Sequence, residues 1–238
     1  NGVNFNNYFG RIYQARYLSG IAAGLKTESN KIGYVAAQNK ENSEVTGGLN
    51  AFAIGVQSVN PDAKVYVKVT NSWYDPAGET NAAKALISEG CDVIGQHCDT
   101  PNPQLEAQSA GVWGIGYNSD MSAFAPKSHL CAPVWNWGPY YKEVVDAVRA
   151  GTFKPEAVWF GMEHGIVDLS PMSDMVPADV QKAVLAKKEA ITAGQAKIFV
   201  GPIKDQAGKE RVPAGQTADD GALLGMDYFV QGVIGTTE

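Results

Sequence analysis

KIGYVAAQNKENSEVTGGLNAFAIGVQSVNPDAKVYVKVT, residues 31–70, decides the fold. Residues 32–36 (IGYVA) form a short apolar run with turn residues on both sides, which reads as a buried strand. Leu49, Phe52, Val56 and Val59 then recur at helical spacing, and Asn60-Pro61-Asp62 stops that helix. KVYVKVT at 64–70 reads as the next strand. A strand, a helix and a second strand in this order build a parallel sheet covered by helices.

The alternation continues C-terminally. Asp75-Pro76 supplies an N-cap and a first-turn proline for a helix through Ala82, Ala83, Leu86 and Ile87, which Gly90 ends. Residues 92–96 read as a third strand, 104–110 as a short helix, 112–117 as a fourth strand and 129–134 as a fifth. Residues 31–134 therefore form one α/β lobe. The flanks do not close on themselves. Residues 10–25 read as a helix with Tyr13, Tyr17, Leu18, Ile21 and Leu25 on one face, and Gly20 and Gly24 would let it sit close to another backbone. Only 3–6 precedes it, too little sheet for it to cover. Amphipathic helices are expected at 139–150 and 177–193, a strand pair at 198–212 around Asp205-Gln206-Ala207-Gly208, and a last helix at 219–230. These pieces read as part of a second lobe. The start at Asn1, without Met or a leader, leads us to expect a fragment.

Composition narrows the function. Hydrophobic residues are 45% and charged residues 18%, enough apolar material for a packed core. Lys+Arg is 19 against 25 Asp+Glu, a net charge of −6, which argues against a nucleic-acid partner. No apolar run approaches the roughly 18–20 residues of a membrane span. Three cysteines cannot complete a disulfide set. Cys91 and Cys98 bracket an extended segment roughly 20 Å long, too far to bridge, so free thiols are expected.

In an open parallel sheet, ligands bind where the carboxyl ends of the strands release their loops. Those ends carry Gln38, Asn39 and Lys40; then Asn71, Ser72, Trp73 and Tyr74; then His97, Cys98, Asp99 and Thr100; then Asn118, Ser119 and Asp120; and finally Trp135-Asn136-Trp137. Three of the five tryptophans gather there among amides and short carboxylates, a combination that suits a flat heterocycle. Stacking a base on an aromatic ring contributes about 1–3 kcal/mol. Trp73 and Trp137 read equally as ligand contacts or as plugs for the sheet end, whereas Trp135, beside an interlobe crossing, reads as a contact. Trp113 and Trp159 read as core, Asp75 and Asp120 as caps, and His129 as structural. Glu163-His164 lies in a segment that periodicity does not place, and Glu163 joins the candidates.

Catalysis is weakly supported. His97-Cys98-Asp99 holds the residue types of a thiol nucleophile, but neighbours on an extended segment point to opposite faces. The other histidines, His129 and His164, stand far off in sequence, so no metal set is expected. There is no GxxxxGK[ST], and QNKENSEVTGG rather than GxGxxG follows the first strand. No cofactor is expected.

RIYQARYLSGIAAGLKTESNKIGYVAA (11–37), GGLNAFAIGVQSVNPDA (47–63), NSWYDPAGETNAAKALISEGCDVI (71–94), GIGYNSDMS (114–122), VWNWGPYY (134–141) and GPIKDQAGKERVPAGQ (201–216) resemble the basic membrane protein family of ABC transporter substrate-binding proteins, which includes purine nucleoside receptors. The resemblance implies a type I periplasmic-binding-protein fold: two doubly wound parallel-sheet lobes with a hinge. It divides the chain into the end of an incomplete first lobe at 1–30, the second lobe at 31–134, and a crossing with a return to the first lobe at 135–238. Hinge crossings are then expected near 26–31 and 134–139. It also implies a monomeric receptor, periplasmic or lipid-anchored on the outer face of the cytoplasmic membrane, which closes around a purine base or nucleoside and delivers it to a permease and its ATPase. Where family members often carry an acid and a lysine near the ribose, Asn118 and Trp135 stand here, which favours the free base, adenine first. Trp135, Asn118, Trp73, His97, Asp99, Asn71, Trp137 and Glu163 are the expected ligand contacts. The rivals are a nucleoside-processing enzyme, a sensing receptor not coupled to transport, and a sugar receptor.

Overall fold

The computed structural model describes residues 4–236. In chain order the elements are β1 (Asn7–Gly10), α1 (Tyr13–Lys26), β2 (Lys31–Ala36), α2 (Ser43–Val59), β3 (Lys64–Val69), α3 (Pro76–Ser88), β4 (Val93–His97), α4 (Asn102–Ala110), β5 (Trp113–Ile115), β6 (His129–Cys131), β7 (Pro133–Trp135), α5 (Gly138–Arg149), β8 (Ala157–Phe160), β9 (Val167–Leu169), α6 (Ala178–Thr192), β10 (Ile203–Lys204), β11 (Glu210–Val212), α7 (Asp220–Leu224) and β12 (Val233–Ile234).

One six-stranded parallel sheet, ordered β12-β3-β2-β4-β5-β6, organises the chain. β2 lies inside it, with Ile32 opposite Val65 on one side and Val93 on the other. A strand covered on both faces needs a near-continuous apolar run, which is why IGYVA was legible. Asn42 caps α2, its side chain accepting from the Glu44 and Val45 N–H groups. Asp75 caps α3, accepting from Gly78, with Pro76 in the first turn.

The helix expected to lack a sheet has a partner. α1 packs along α2, in the same layer, at a separation only glycine permits. A Cβ on Gly20 would stand 2.1 Å from the Phe52 carbonyl oxygen, and one on Gly55 would stand 2.1 Å from that of Tyr17. Residues 27–30, expected as a hinge crossing, join α1 to β2 within this unit. Asp92 pins them by accepting from the Thr27 hydroxyl and the Glu28 and Ser29 N–H groups. Gly20→Ala should therefore cost about 1–3 kcal/mol through overpacking, read as a lowered midpoint in chemical unfolding; an unchanged midpoint would mean that the two helices can separate freely.

Other departures have local causes. The expected fifth strand at 129–134 divides: β6 stays in the main sheet, while β7 pairs antiparallel with β9. Pro133 at the break has no N–H for a ladder. The Ala132 N–H donates instead to the Ser170 hydroxyl. The last helix ends at Leu224, before Gly225, rather than running to 230. Two strands that periodicity missed, β1 and β8, form a separate parallel pair. Of the short segment said to precede the first helix, Val3 lies outside the described residues. Cys91, Cys98 and Cys131 are free and buried. Among the described residues no helix is long and apolar enough to cross a membrane.

Candidate functional site

The carboxyl ends of β2, β4 and β5 meet over a buried polar cluster. His97, the last residue of β4, is fully buried, and both its ring nitrogens are engaged. Nδ1 lies 3.3 Å from the Tyr34 hydroxyl and Nε2 lies 3.2 Å from Glu44 Oε1. Burial, then the nearby Arg16 charge, pushes the His97 pKa down to about 4, so the ring is neutral at pH 7. Burial pushes Tyr34 up to about 12, so it keeps its proton. The neutral ring donates from one nitrogen and accepts on the other, which fixes the tautomer: Tyr34 O–H donates to Nδ1, and Nε2–H donates to Glu44. Burial raises the Glu44 pKa, but the His97 hydrogen bond and the electrostatic pull of His97 and Arg16 as the carboxyl titrates outweigh it, and the carboxyl ends below its ordinary value. A side chain on Gly48 would start 3.0 Å from the imidazole, so this glycine lets α2 sit directly on His97.

Arg16 lies beneath, fully buried, its Nη1 donating 2.6 Å to the Gln96 carbonyl and its guanidinium 4.9 Å from the Tyr117 ring centre. Its Nε and Nη2 have no hydrogen-bond partner among the described residues.

Above this floor opens a cavity of 470 Å3 between β1 and the first turns of α2. Tyr8, Phe9 and Trp159 wall one side, and Asn42, Glu44 and Gly47 the other. Among the described residues its lining includes two acids, Glu41 and Glu44, and no lysine or arginine.

Two aromatic groups pack behind its lining, through His97 and Phe9, without lining it themselves. In the first, Trp73 lies 5.8 Å from His97 and stacks on Tyr117 at 6.4 Å. In the second, Trp135 stacks on Trp137 at 4.8 Å, Trp137 on Tyr141 at 6.5 Å, and Phe9 of the cavity wall leans on Trp135 at 5.5 Å. Asn118 joins the groups. It follows Tyr117, bridges Val134, and its carbonyl accepts from the Trp135 N–H at 3.4 Å. Its φ of 54° is left-handed, a region asparagine tolerates better than most residues, and its Oδ1 is buried without a partner among the described residues.

The expected contacts thus separate. Trp73, His97, Asn118, Trp135 and Trp137 are joined through ring and backbone contacts, but none of them lines the 470 Å3 cavity. Asp99 is exposed beside them, its N–H donating to the Trp73 carbonyl, and burial followed by the charges of Glu79 and Glu44 raises its pKa. Asn71 is exposed at a left-handed turn of φ 54°. His97 reaches the cavity only through Glu44. Glu163 lines a different hollow of 350 Å3 with Arg11, Gln14 and Asp220, and accepts from the Gly161 N–H. Cys98 is buried, and desolvation raises its pKa, which keeps it a thiol, the poorly nucleophilic form. Glu44, Arg16, Tyr117, Tyr8 and Phe9 escaped the sequence reading. The one available signal was Asn42-Ser43-Glu44, a capped helix start facing the same edge.

Residues 2–200 match the family described as PnrA-like ABC transporter substrate-binding proteins. The chain belongs to this family. Family member status is also visible in pairwise similarity. The chain is 42% identical over 230 residues to a purine-binding protein of Brucella abortus, covering 97% of the chain and 65% of that relative. It is 38% identical over 232 residues to a putative ABC transporter glucose-binding protein of Haloferax volcanii, covering 98% of the chain and 56% of the relative. The chain therefore spans less than two thirds of either relative. Among solved structures, an ABC transporter solute-binding protein from Conexibacter woesei superposes with a TM-score of 0.69 at 24% identity, over 82% of this chain and 66% of that one. A solute-binding protein from Aeropyrum pernix gives 0.71 at 18% identity, over 84% and 67%. At such identities the likeness concerns the fold alone. This PnrA-like chain carries the α/β architecture expected of it.

Proposed function

We propose that the protein is the extracytoplasmic substrate-binding component of an ABC transporter and that it captures a purine base, adenine first, or a purine nucleoside. The observation that carries this reading is the cavity itself, with the aromatic rings of Tyr8, Phe9 and Trp159 in its wall, the Asn7 and Asn42 amides and the Glu41 and Glu44 carboxylates in its lining, and the Trp135–Trp137 stack packed behind Phe9. Flat rings bind a flat ring by stacking, and amides and carboxylates read its edge. The purine-binding relative at 42% identity supports the same ligand class. The protein is a monomer that binds and releases without chemistry, and it is held outside the cytoplasmic membrane, by a lipid anchor or free in the periplasm.

In this reading the lobes cross near 10–12 and 134–139 rather than at 26–31, because α1 is packed onto α2 and β1 is not. Residues 13–36 then move with the sheet, while β1, β8 and α5 belong to the other lobe. Ligand contacts from both sides favour the closed form, which a permease and ATPase partner recognises.

Calorimetry of the complete protein with adenine, adenosine and glucose tests this. Adenine or adenosine should bind, and Trp135→Ala should weaken that binding by at least about 1 kcal/mol, the scale of one stacked base; unchanged affinity would remove Trp135 from the site. The second reading, a sugar receptor, is favoured by the glucose-binding relative at 38% identity. Glucose binding without purine binding would establish it in place of the first.

A further inference from the structure

We propose that Glu44 is the specificity-determining residue of this cavity, its carboxylate accepting a hydrogen bond from an N–H group on the edge of a planar ligand. The inference deepens the purine reading and rests on it: the ligand is an amino-substituted heterocycle, and the same ring without that donor is rejected.

The geometry carries the assignment. Glu44 lines the cavity with its side chain 22% exposed, so it is reachable without being fully hydrated. Oε1 is tied to His97, and the second carboxylate oxygen has no hydrogen-bond partner among the described residues. An ionised carboxylate only accepts, so that oxygen calls for a donor. The orientation is set from below. Tyr34 donates to His97 and His97 to Glu44, three side chains on β2, β4 and α2 locked in sequence. A carboxylate fixed in this way loses little entropy when a ligand arrives. Among the described residues the cavity lining holds no lysine or arginine to pair with Glu44, while the Arg16 charge beneath favours its ionised form.

The bland alternative is a helix-start acid that only favours the N-terminal end of α2. Glu44 does not cap that end, however. Asn42 accepts from the backbone there, and the Glu44 hydrogen bond goes to a different element.

The test uses calorimetry on the complete protein with two ligands of one shape, adenine and 6-methylpurine, which lacks the exocyclic N–H donors. The wild type should prefer adenine at least tenfold, since a site built to hydrogen-bond a group discriminates strongly against its absence. Glu44→Ala should weaken adenine at least tenfold, leave 6-methylpurine within about twofold, and so abolish the preference. Glu44→Gln, which keeps the size and one acceptor, should fall between and guards against a folding defect in the alanine variant. An equal loss for both ligands, or a wild type blind to the difference, would reduce Glu44 to a structural tie and leave the purine reading standing. A wild type that binds neither purine overturns both.

Discussion

Lowering the pH from 7 to 5 should destabilise the fold before most of its carboxylates are protonated, with His97 as the main cause. The ring is fully buried, and its pKa falls from the ordinary 6.5 to about 4 in the folded state. Between those values the unfolded chain binds a proton that the folded chain refuses. Stability is therefore whole above about pH 6.5 and is lost as the pH falls toward 4. A displacement of this size corresponds to about 3 kcal/mol at most. The groups facing the ring give the same net sense. Arg16 on α1 repels a second positive charge, Tyr34 on β2 stays a donor, and Glu44 on α2 is the one group that would welcome the proton, yet it does not outweigh burial. His129, also lowered by burial, adds in the same direction. Chemical unfolding at a series of pH values should show the decline, and His97→Gln should flatten much of it. A wild-type curve level from pH 7 to 5 would mean that the ring opens to solvent and charges at little cost.

The features that could be read from the sequence share one property: a periodic signal backed by punctuation. β2, α2 and β3 have it in the apolar run at 32–36, the helical spacing of Leu49, Phe52 and Val56, and the stop at Asn60-Pro61. β1 has none, because Asn7-Tyr8-Phe9-Gly10 is four residues long and its pairing with β8 lies 150 positions away. The strand-end rule treated Trp135 and Trp137 as following a strand of the main sheet, whereas they follow β7, which pairs with β9, and the rule counted only the loop after each strand. Glu44 stands one helical turn further on and was missed for that reason. His97 failed in the opposite way: it is at the right edge but points under α2, because Gly48 leaves the space for it. Arg16 was invisible for a deeper reason. An arginine on a helix is read as a solvated side chain, and nothing in QARYLSG signals a cation with no exposed surface.

Arg16 should therefore respond to substitution in a way that separates its stem from its charge. Arg16→Ala is expected to cost about 3–5 kcal/mol, the range for removing one partner from a buried charged arrangement. It empties the space under Tyr117 and leaves the Gln96 carbonyl without its donor. Arg16→Met keeps an unbranched apolar stem of similar reach. It also removes the two guanidinium nitrogens that have no partner among the described residues, whose burial is itself unfavourable. The methionine variant should consequently retain most of the stability that alanine loses. Both variants should raise the His97 pKa, because the guanidinium charge is one cause of its depression, and both should raise that of Glu44, whose ionisation Arg16 supports. Unfolding free energies give the first comparison, and an NMR titration of the imidazole gives the second. Equal losses for alanine and methionine would show that the charge rather than the packing holds this floor together. An unmoved His97 titration in both would instead show that the guanidinium field does not reach the ring.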